Sequence, residues 1–296
     1  MSSIRTTPEQ KNGQRVTGAL DTIRTRRTIR GPRRELNAIF TIAYRDMMRF
    51  LRDPSRLIGT LVLPVIFVGV LGGSFQAGLG GSVGFNLLTF IFTGVYAQTL
   101  FQSTAFGIIS LIEDRENDFS QEIFISPISR YSIIFGKILG ESLVALAQAA
   151  AVIVFGLIIR IPLSPFQILG LFLAGILTCL IGGAFGLLLL SGFGSQRAAN
   201  QILPFLIFPQ FFLAGAFSPL KAASGQSLPW YIDILSRIAP LRYAVDLTRN
   251  LYYAGTPAYS KVVLENPLVN LIVLIAMFLL FLIAGTFIFV RSERNR

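Results

Sequence analysis

The chain has 296 residues, 53% of them hydrophobic and 14% charged, against a charged share of about 25% in ordinary soluble domains. With no His and a single Cys, it excludes a Ser-His-Asp triad, a Cys-His pair, a His-ligated metal, an internal disulfide and a cysteine-cluster metal site. The net charge of +11 is not that of a nucleic-acid binder, because the basic residues flank apolar runs instead of covering a surface. Residues 1–56 hold 13 of the 26 Lys and Arg against 5 of the 15 Asp and Glu, the bias of a cytoplasmic membrane anchor.

Residues 1–34 carry 9 Lys and Arg, 2 acids and 8 Ser and Thr with no apolar run, and are expected to be a disordered cytoplasmic extension. The same bias suits an organelle transit peptide, and a plain bacterial extension is the simpler expectation. Residues 35–56 follow as an amphipathic interfacial helix: Leu36, Ile39, Phe40, Ala43, Met47 and Phe50 recur at helical spacing, with Arg45, Asp46, Arg49, Arg52 and Asp53 on the opposite side.

No Asp, Glu, Lys or Arg occurs in residues 57–112, 161–196, 198–220 or 266–290, and about 18 uncharged apolar residues suffice for a membrane span. Six spans are predicted, over residues 57–75, 85–112, 138–159, 166–190, 198–217 and 268–290, giving an all-α integral membrane protein. A Gly-rich turn at residues 76–84 separates the first two, and Pro162 and Pro165 separate the third from the fourth. Between spans two and three the acids Glu113, Asp114, Glu116, Asp118 and Glu122 precede an apolar patch, Ile123, Phe124 and Ile125, ended by Ser126 and Pro127. Apolar residues ringed by charge are built like a docking surface. Pro204 and Pro209 predict a broken fifth helix leading into a partly re-entrant outer segment. That segment, residues 218–267, holds six of the nine Trp and Tyr, namely Trp230, Tyr231, Tyr243, Tyr252, Tyr253 and Tyr259, which places it against the outer leaflet. With the N-terminus inside, 20 of the 26 Lys and Arg fall on the inner side and 6 on the outer, so both termini are expected in the cytoplasm, with residues 291–296 as a tail.

The order of these parts, with the stretches ISPISRYSIIFGKILGE at residues 125–141 and LPWYIDILSRIAPLRYAVDLTR at residues 228–249, resembles the ABC-2 family of ATP-binding-cassette transporter permeases, in particular bacterial drug-efflux and polysaccharide-export permeases and their plastid relatives. The resemblance implies a dimer, with a second copy or a paralogue, set in membrane lipid and exporting an amphiphilic, lipid-like or glycan cargo. It implies a separate ABC ATPase subunit that carries ATP and Mg, no cofactor in this chain, and the bacterial plasma membrane in preference to a plastid membrane. By position, the ATPase contact falls on Glu113, Asp114, Arg115, Glu116, Asp118, Phe119, Ile123, Phe124, Ile125, Pro127 and Arg130. The residues support the same division of labour independently. A phosphate-binding loop needs G-x-x-x-x-G-K-[ST], and the only Gly-Lys pair, Gly136 and Lys137, has Tyr131 in place of the first Gly and Ile138 in place of Ser or Thr. The chain is therefore not expected to be an enzyme.

Glu141 is the one ionisable residue inside a predicted span, and its place four residues after Lys137 predicts an interfacial ion pair. Gln98 and Gln102 on one face of span two, Gln148 in span three, and Phe208 and Phe212 in span five are candidates for a cargo path. The alternative is that the amides hydrogen-bond neighbouring helices and the Phe rings face lipid. An ion-driven secondary transporter would need ionisable groups at mid-membrane, which are nearly absent. A non-transporting scaffold stays open, and an ATPase gene beside this one would argue against it.

Overall fold

The structure is a computed structural model that describes residues 32–112, 130–193, 195–220 and 229–294. Among these residues the fold is all helical, with no strand. Helix α1 (Pro32–Leu51) covers most of the stretch expected to be an amphipathic helix. It packs along α5 (Arg130–Ile158), where a Cβ added at Gly136 or Gly140 would come within 3.2 and 3.0 Å of the Cα atoms of Ile39 and Ala43. These two small residues, four apart, let the backbones approach closely. The face pressed onto α5 runs through Ala43, Asp46 and Phe50, all buried, while Leu36 and Phe40 are exposed. Asp46 therefore leaves the polar side on which helical spacing placed it, and Lys137 of α5 supplies the opposite charge that permits its burial.

The first apolar run is one unbroken helical element over Pro54–Val83. It comprises α2 (Pro54–Val65), a π-helical stretch (Ile66–Gly72) and α3 (Gly73–Val83). Pro64, which has no N–H to donate, sits just ahead of the π-helical turns. The turn expected at residues 76–84 is thus mostly helix and contracts to residues 84–86, where Gly84 adopts φ +74°. Glycine disfavours a helix by about 1 kcal/mol, less than the several kcal/mol of leaving backbone groups unpaired in hydrocarbon.

Helix α4 (Leu87–Gly107), capped by the Asn86 carboxamide on the Thr89 N–H, carries no charged residue and is buried almost throughout, as expected of a helix without a charged face. Around it stand α5, α6 (Pro165–Leu190) and the π-helical stretch. A Cβ on Gly186 of α6 would lie 2.6 Å from the Ala105 carbonyl oxygen of α4, so the contact requires glycine. The last helix, α11 (Pro267–Arg294), packs on the outer side of α6.

Five helical runs among the described residues are long and apolar enough to cross a membrane: Pro54–Val83, Leu87–Ile112, Tyr131–Ile158, Pro165–Leu190 and Pro267–Arg291. The predicted fifth span is not one of them. It is α7 (Gln196–Leu213), which runs continuously through Pro204 and Pro209 instead of breaking, and which carries Arg197, Asn200, Gln201 and Gln210. The segment after it forms α8 (Trp230–Ile238), α9 (Pro240–Tyr252) and a single turn, α10 (Tyr259–Val262). Helix α8 exposes Trp230, Tyr231, Ile234, Leu235 and Ile238. Helix α9 is buried against α4, α6 and α11, and Tyr252 and Tyr253 at its end turn inward rather than joining an aromatic belt.

Candidate functional site

Glutamine is costly to bury without partners, since an unpaired amide forfeits its hydrogen bonds to water. Gln98 on α4 and Gln148 on α5 are buried at about the middle of their helices, and Gln102 lies one turn from Gln98. All three line one cavity of about 350 Å³ between α2, α4 and α5. None of them makes a hydrogen bond among the described residues, and Gln98 Oε1 is an orphaned buried acceptor. Among the described residues none of these amides bonds a neighbouring helix. The remaining wall mixes Thr60, Thr99 and Ser103 with Leu63, Phe67, Val95 and Phe106, and Arg56 stands at the end nearest the start of α2. From Arg56 to Phe67 is about 17 Å at 1.5 Å per residue, roughly half of a 30 Å hydrocarbon core.

Beyond Phe67 lies an aromatic contact. The Phe67 and Phe217 rings lie 4.9 Å apart between centroids, and Phe212 packs behind Phe217 at 6.0 Å. Neither Phe208 nor Phe212 lines the cavity. Phe208 packs edge-on to Phe211 at 5.3 Å, and Phe212 is 71% exposed. Of the five candidates for a cargo path, the structure therefore gathers the three glutamines and leaves out both phenylalanines.

Phe217 follows a turn held by the motif at residues 240–249. Arg249 Nη2 donates to the carbonyl oxygens of Gly215 at 2.8 Å and Ala216 at 3.4 Å, and its guanidinium stacks on Phe90 at 3.6 Å. Gly215 takes φ +64°, the left-handed region that favours glycine. Gly94 of α4 leaves room for the turn, because a Cβ there would lie 2.2 Å from the Ala216 oxygen. One helical turn from Arg249, Asp246 accepts the N–H of Leu264 at 2.8 Å on Oδ1, and on Oδ2 the N–H of Glu265 at 2.8 Å and the Asn270 amide at 2.7 Å. Asn250 donates to the Glu265 carbonyl and accepts from the Tyr259 hydroxyl, while Arg242 donates to Ser236 at 2.7 Å. These side chains form a latch that fastens α9 to the start of α11 and to the turn behind the cavity. Sequence spacing singled the stretch out without revealing which groups its charged residues hold.

A second cluster lies at the Arg56 end. Lys137 Nζ is 2.8 Å from Asp46 Oδ2 and 3.8 Å from Glu141 Oε1, and all three residues are buried. Ser110 donates to Glu141 at 3.3 Å. The expected interfacial pair of Lys137 and Glu141 is thus an interior triad whose shortest contact reaches back to α1, because the close approach of α1 and α5 excludes solvent. Asp53, outside the spans, caps α2. Hydrogen bonds from the Ser55 hydroxyl and the Arg56 N–H hold its carboxyl below the ordinary value of 3.8. At the far end Asp233 raises the pKa of the Arg237 guanidinium through a 3.0 Å hydrogen bond.

Of the residues assigned to ATPase coupling, Glu113, Asp114, Arg115, Glu116, Asp118, Phe119, Ile123, Phe124, Ile125 and Pro127 lie outside the described residues, and Arg130 is the first residue of α5.

Known proteins place this architecture. The chain is 25% identical over 234 residues to a putative transport permease, ycf38, of Cyanophora paradoxa, covering 78% of this chain and 79% of that one. It is 23% identical over 242 residues to the ycf38 protein of Pyropia yezoensis, covering 78% of each chain. Against a probable multidrug ABC transporter permease, YbhR, of Escherichia coli K12, identity is 28% over 145 residues, 49% of this chain and 38% of the other. The ABC-2 type transporter profile matches residues 37–253. That stretch includes every helix that builds the cavity, and the chain belongs to the ABC-2 type transporter family, as a multi-helix membrane permease subunit rather than the ATPase.

Proposed function

We propose that this chain is the transport subunit of an ATP-driven exporter, in which the glutamine-lined cavity receives an amphiphilic, lipid-like or glycan cargo and passes it outward. The observation that carries the proposal is the cavity itself: three amides near the middle of the bundle that have no partner among the described residues, beside an apolar wall. Hydrogen-bonding groups kept unpaired inside a bilayer protein are placed for a ligand or water. Among the described residues its one charged lining residue is Arg56, at the mouth, which favours an ATP-driven over an ion-driven carrier. In this proposal α7 completes six crossings as the fifth, α8 to α10 sit partly re-entrant at the outer leaflet, and both termini are cytoplasmic. A second copy or paralogue covers the exposed faces, and the assembly resides in a bacterial plasma membrane. A separate ABC ATPase binds ATP and Mg, docks on residues 113–130 and moves α4 and α5, which precede and follow that segment in the chain. No cofactor is assigned to this chain.

The test is reconstitution with the co-purifying ATPase in vesicles. Amphiphile should stimulate ATP hydrolysis, and Gln98→Leu with Gln148→Leu should remove the stimulation while leaving assembly intact. Wild-type stimulation in that double variant refutes the cargo role of the cavity. Purified alone, the chain should hydrolyse no ATP.

A further inference from the structure

A second cavity, of about 330 Å³, lies at the end of the bundle where α4 and α6 begin, at the lower end of the size range of small-ligand sites. The start of α4 gives it Asn86 and Thr89, the first turn of α6 gives Gln167, the residue after α9 is Tyr253, and the chain into α10 gives Thr256 and Lys261. No residue lines both this cavity and the glutamine-lined one. Gly107, at the other end of α4, stands about 30 Å away at 1.5 Å per residue.

Most of the polar groups in this wall already have partners. Asn86 Oδ1 accepts the Thr89 N–H at 3.0 Å, and Gln167 Oε1 accepts the Ser164 N–H at 2.8 Å. The Gln167 amide donates to the Tyr252 carbonyl at 3.2 Å, the Tyr252 hydroxyl to the Pro162 carbonyl, and the Thr256 hydroxyl to the Tyr253 carbonyl at 2.7 Å. The groups left open are donors or hydroxyls. Among the described residues the Asn86 amide N–H groups and the buried Thr89 hydroxyl bond to nothing. Tyr253 is 5% exposed, and its hydroxyl has no partner among the described residues. Lys261 is the one charged residue in the described wall. Its Nζ donates to the Gly84 carbonyl at 3.2 Å and makes no ion pair among the described residues. Gly84, at φ +74°, lets the ammonium come this close, because a Cβ there would lie 2.8 Å from Nζ.

An ammonium with two N–H bonds to spare, an open amide donor and two hydroxyls match a ligand that is anionic and rich in acceptors. The N-termini of α4 and α6 both open on this space and add the positive ends of their dipoles. The cavity also stands at the ends of two helical runs long and apolar enough to cross a membrane, which is the depth of lipid phosphates. We infer that this cavity is a site for a phosphate-bearing head group, with Lys261 as its counter-charge and Asn86 and Thr89 as its hydrogen-bond partners. The site does not depend on the cargo role of the glutamine-lined cavity. The phosphate belongs either to a membrane phospholipid or to a free phosphate ester.

Binding to the full chain, purified and delipidated in a neutral maltoside detergent and read by native mass spectrometry, tests it with phosphatidylglycerol, diacylglycerol of the same acyl chains and glycerol 3-phosphate as probes. Phosphatidylglycerol should bind at least about tenfold more tightly than diacylglycerol, which lacks the phosphate; that is the scale of one charge-assisted contact. Lys261→Gln should remove the preference, Lys261→Arg should keep most of it, and Arg237→Gln, on α8 and outside the cavity wall, should change nothing. Thr89→Val keeps the side-chain volume and leaves Lys261 in place, so it reads the site independently: phosphatidylglycerol affinity should fall several-fold while diacylglycerol is unaffected. Displacement of phosphatidylglycerol by glycerol 3-phosphate identifies a free phosphate ester as a sufficient ligand, and failure to displace it identifies the membrane lipid; either result supports a phosphate site. Equal binding of phosphatidylglycerol and diacylglycerol, a preference unchanged in Lys261→Gln or in Thr89→Val, or a preference lost equally in Arg237→Gln overturns the inference.

Discussion

The latch around α9 and the cavity between α2, α4 and α5 both bury polar side chains, and they treat them in opposite ways. In the latch, Asp246 takes three donors, Asn250 bonds at both ends of its amide, and Arg249 holds two carbonyls. Some atoms there stay single, namely Arg249 Nε, Asn270 Oδ1 and the Tyr253 hydroxyl, but every one of these residues except Tyr253 keeps another bond. In the cavity, Gln98, Gln102 and Gln148 bond to nothing among the described residues. Saturated buried polar groups fix a fold, whereas groups left open make room for something else. Polarity inside a membrane helix is therefore ambiguous until its partners are known.

Breaking the latch should do the most damage. Asp246→Ala strands two backbone N–H groups and the Asn270 amide, and should destabilise the protein by about 3 kcal/mol or more; thermal unfolding of the detergent-purified protein reads this as lost folded material. Asp246→Asn, which keeps acceptor capacity, should fall between the wild type and Asp246→Ala.

The inner triad comes next. Lys137→Met leaves Glu141 without its cation and Asp46 with its Arg45 contact, at a cost of about 3 kcal/mol, and adding Asp46→Leu should recover much of it because one of the two buried carboxylates goes as well. A double variant no more stable than Lys137→Met would show that the pair does not join α1 to α5.

For the cavity the comparison predicts the reverse pattern. Gln98→Leu or Gln148→Leu should change stability by no more than about 0.5 kcal/mol, since no protein hydrogen bond is lost, yet amphiphile-stimulated ATP hydrolysis by the reconstituted complex should fall at least about tenfold. A large loss of thermal stability would mean that these amides belong with the latch.

The smallest effect is expected at Asp53. Its folded pKa is depressed below 3.8 by the Ser55 and Arg56 hydrogen bonds, so its stabilising contribution is complete above that ordinary value and disappears as pH falls through the folded one. Asp53→Asn should slightly weaken the protein at neutral pH and flatten its stability profile on the acid side, as measured by thermal unfolding between pH 3 and 7.

The sequence by itself determined the class of molecule. Uncharged apolar runs of this length can only be buried or sit in lipid, and the missing phosphate loop is a matter of residue identity. Hydrophobicity alone could not set where helices end or turn. The glycines of residues 76–83 read as a turn because their helix propensity is low, yet the backbone there keeps its own hydrogen bonds. Nor could spacing assign partners. Asp46 belongs to a polar stripe along α1 until α5 arrives with Lys137, 91 residues later in the chain, and Glu141 looks like half of a local pair until the same contact takes its lysine. The three glutamines were legible as suspects, but whether they bond to neighbouring helices or face an empty space depends on how α2, α4 and α5 diverge. Phe208 and Phe212 entered the suspicion on composition, and the rotation of α7 turned them elsewhere. Local chemistry is written residue by residue; partnership between residues distant in the chain exists only once the helices have packed.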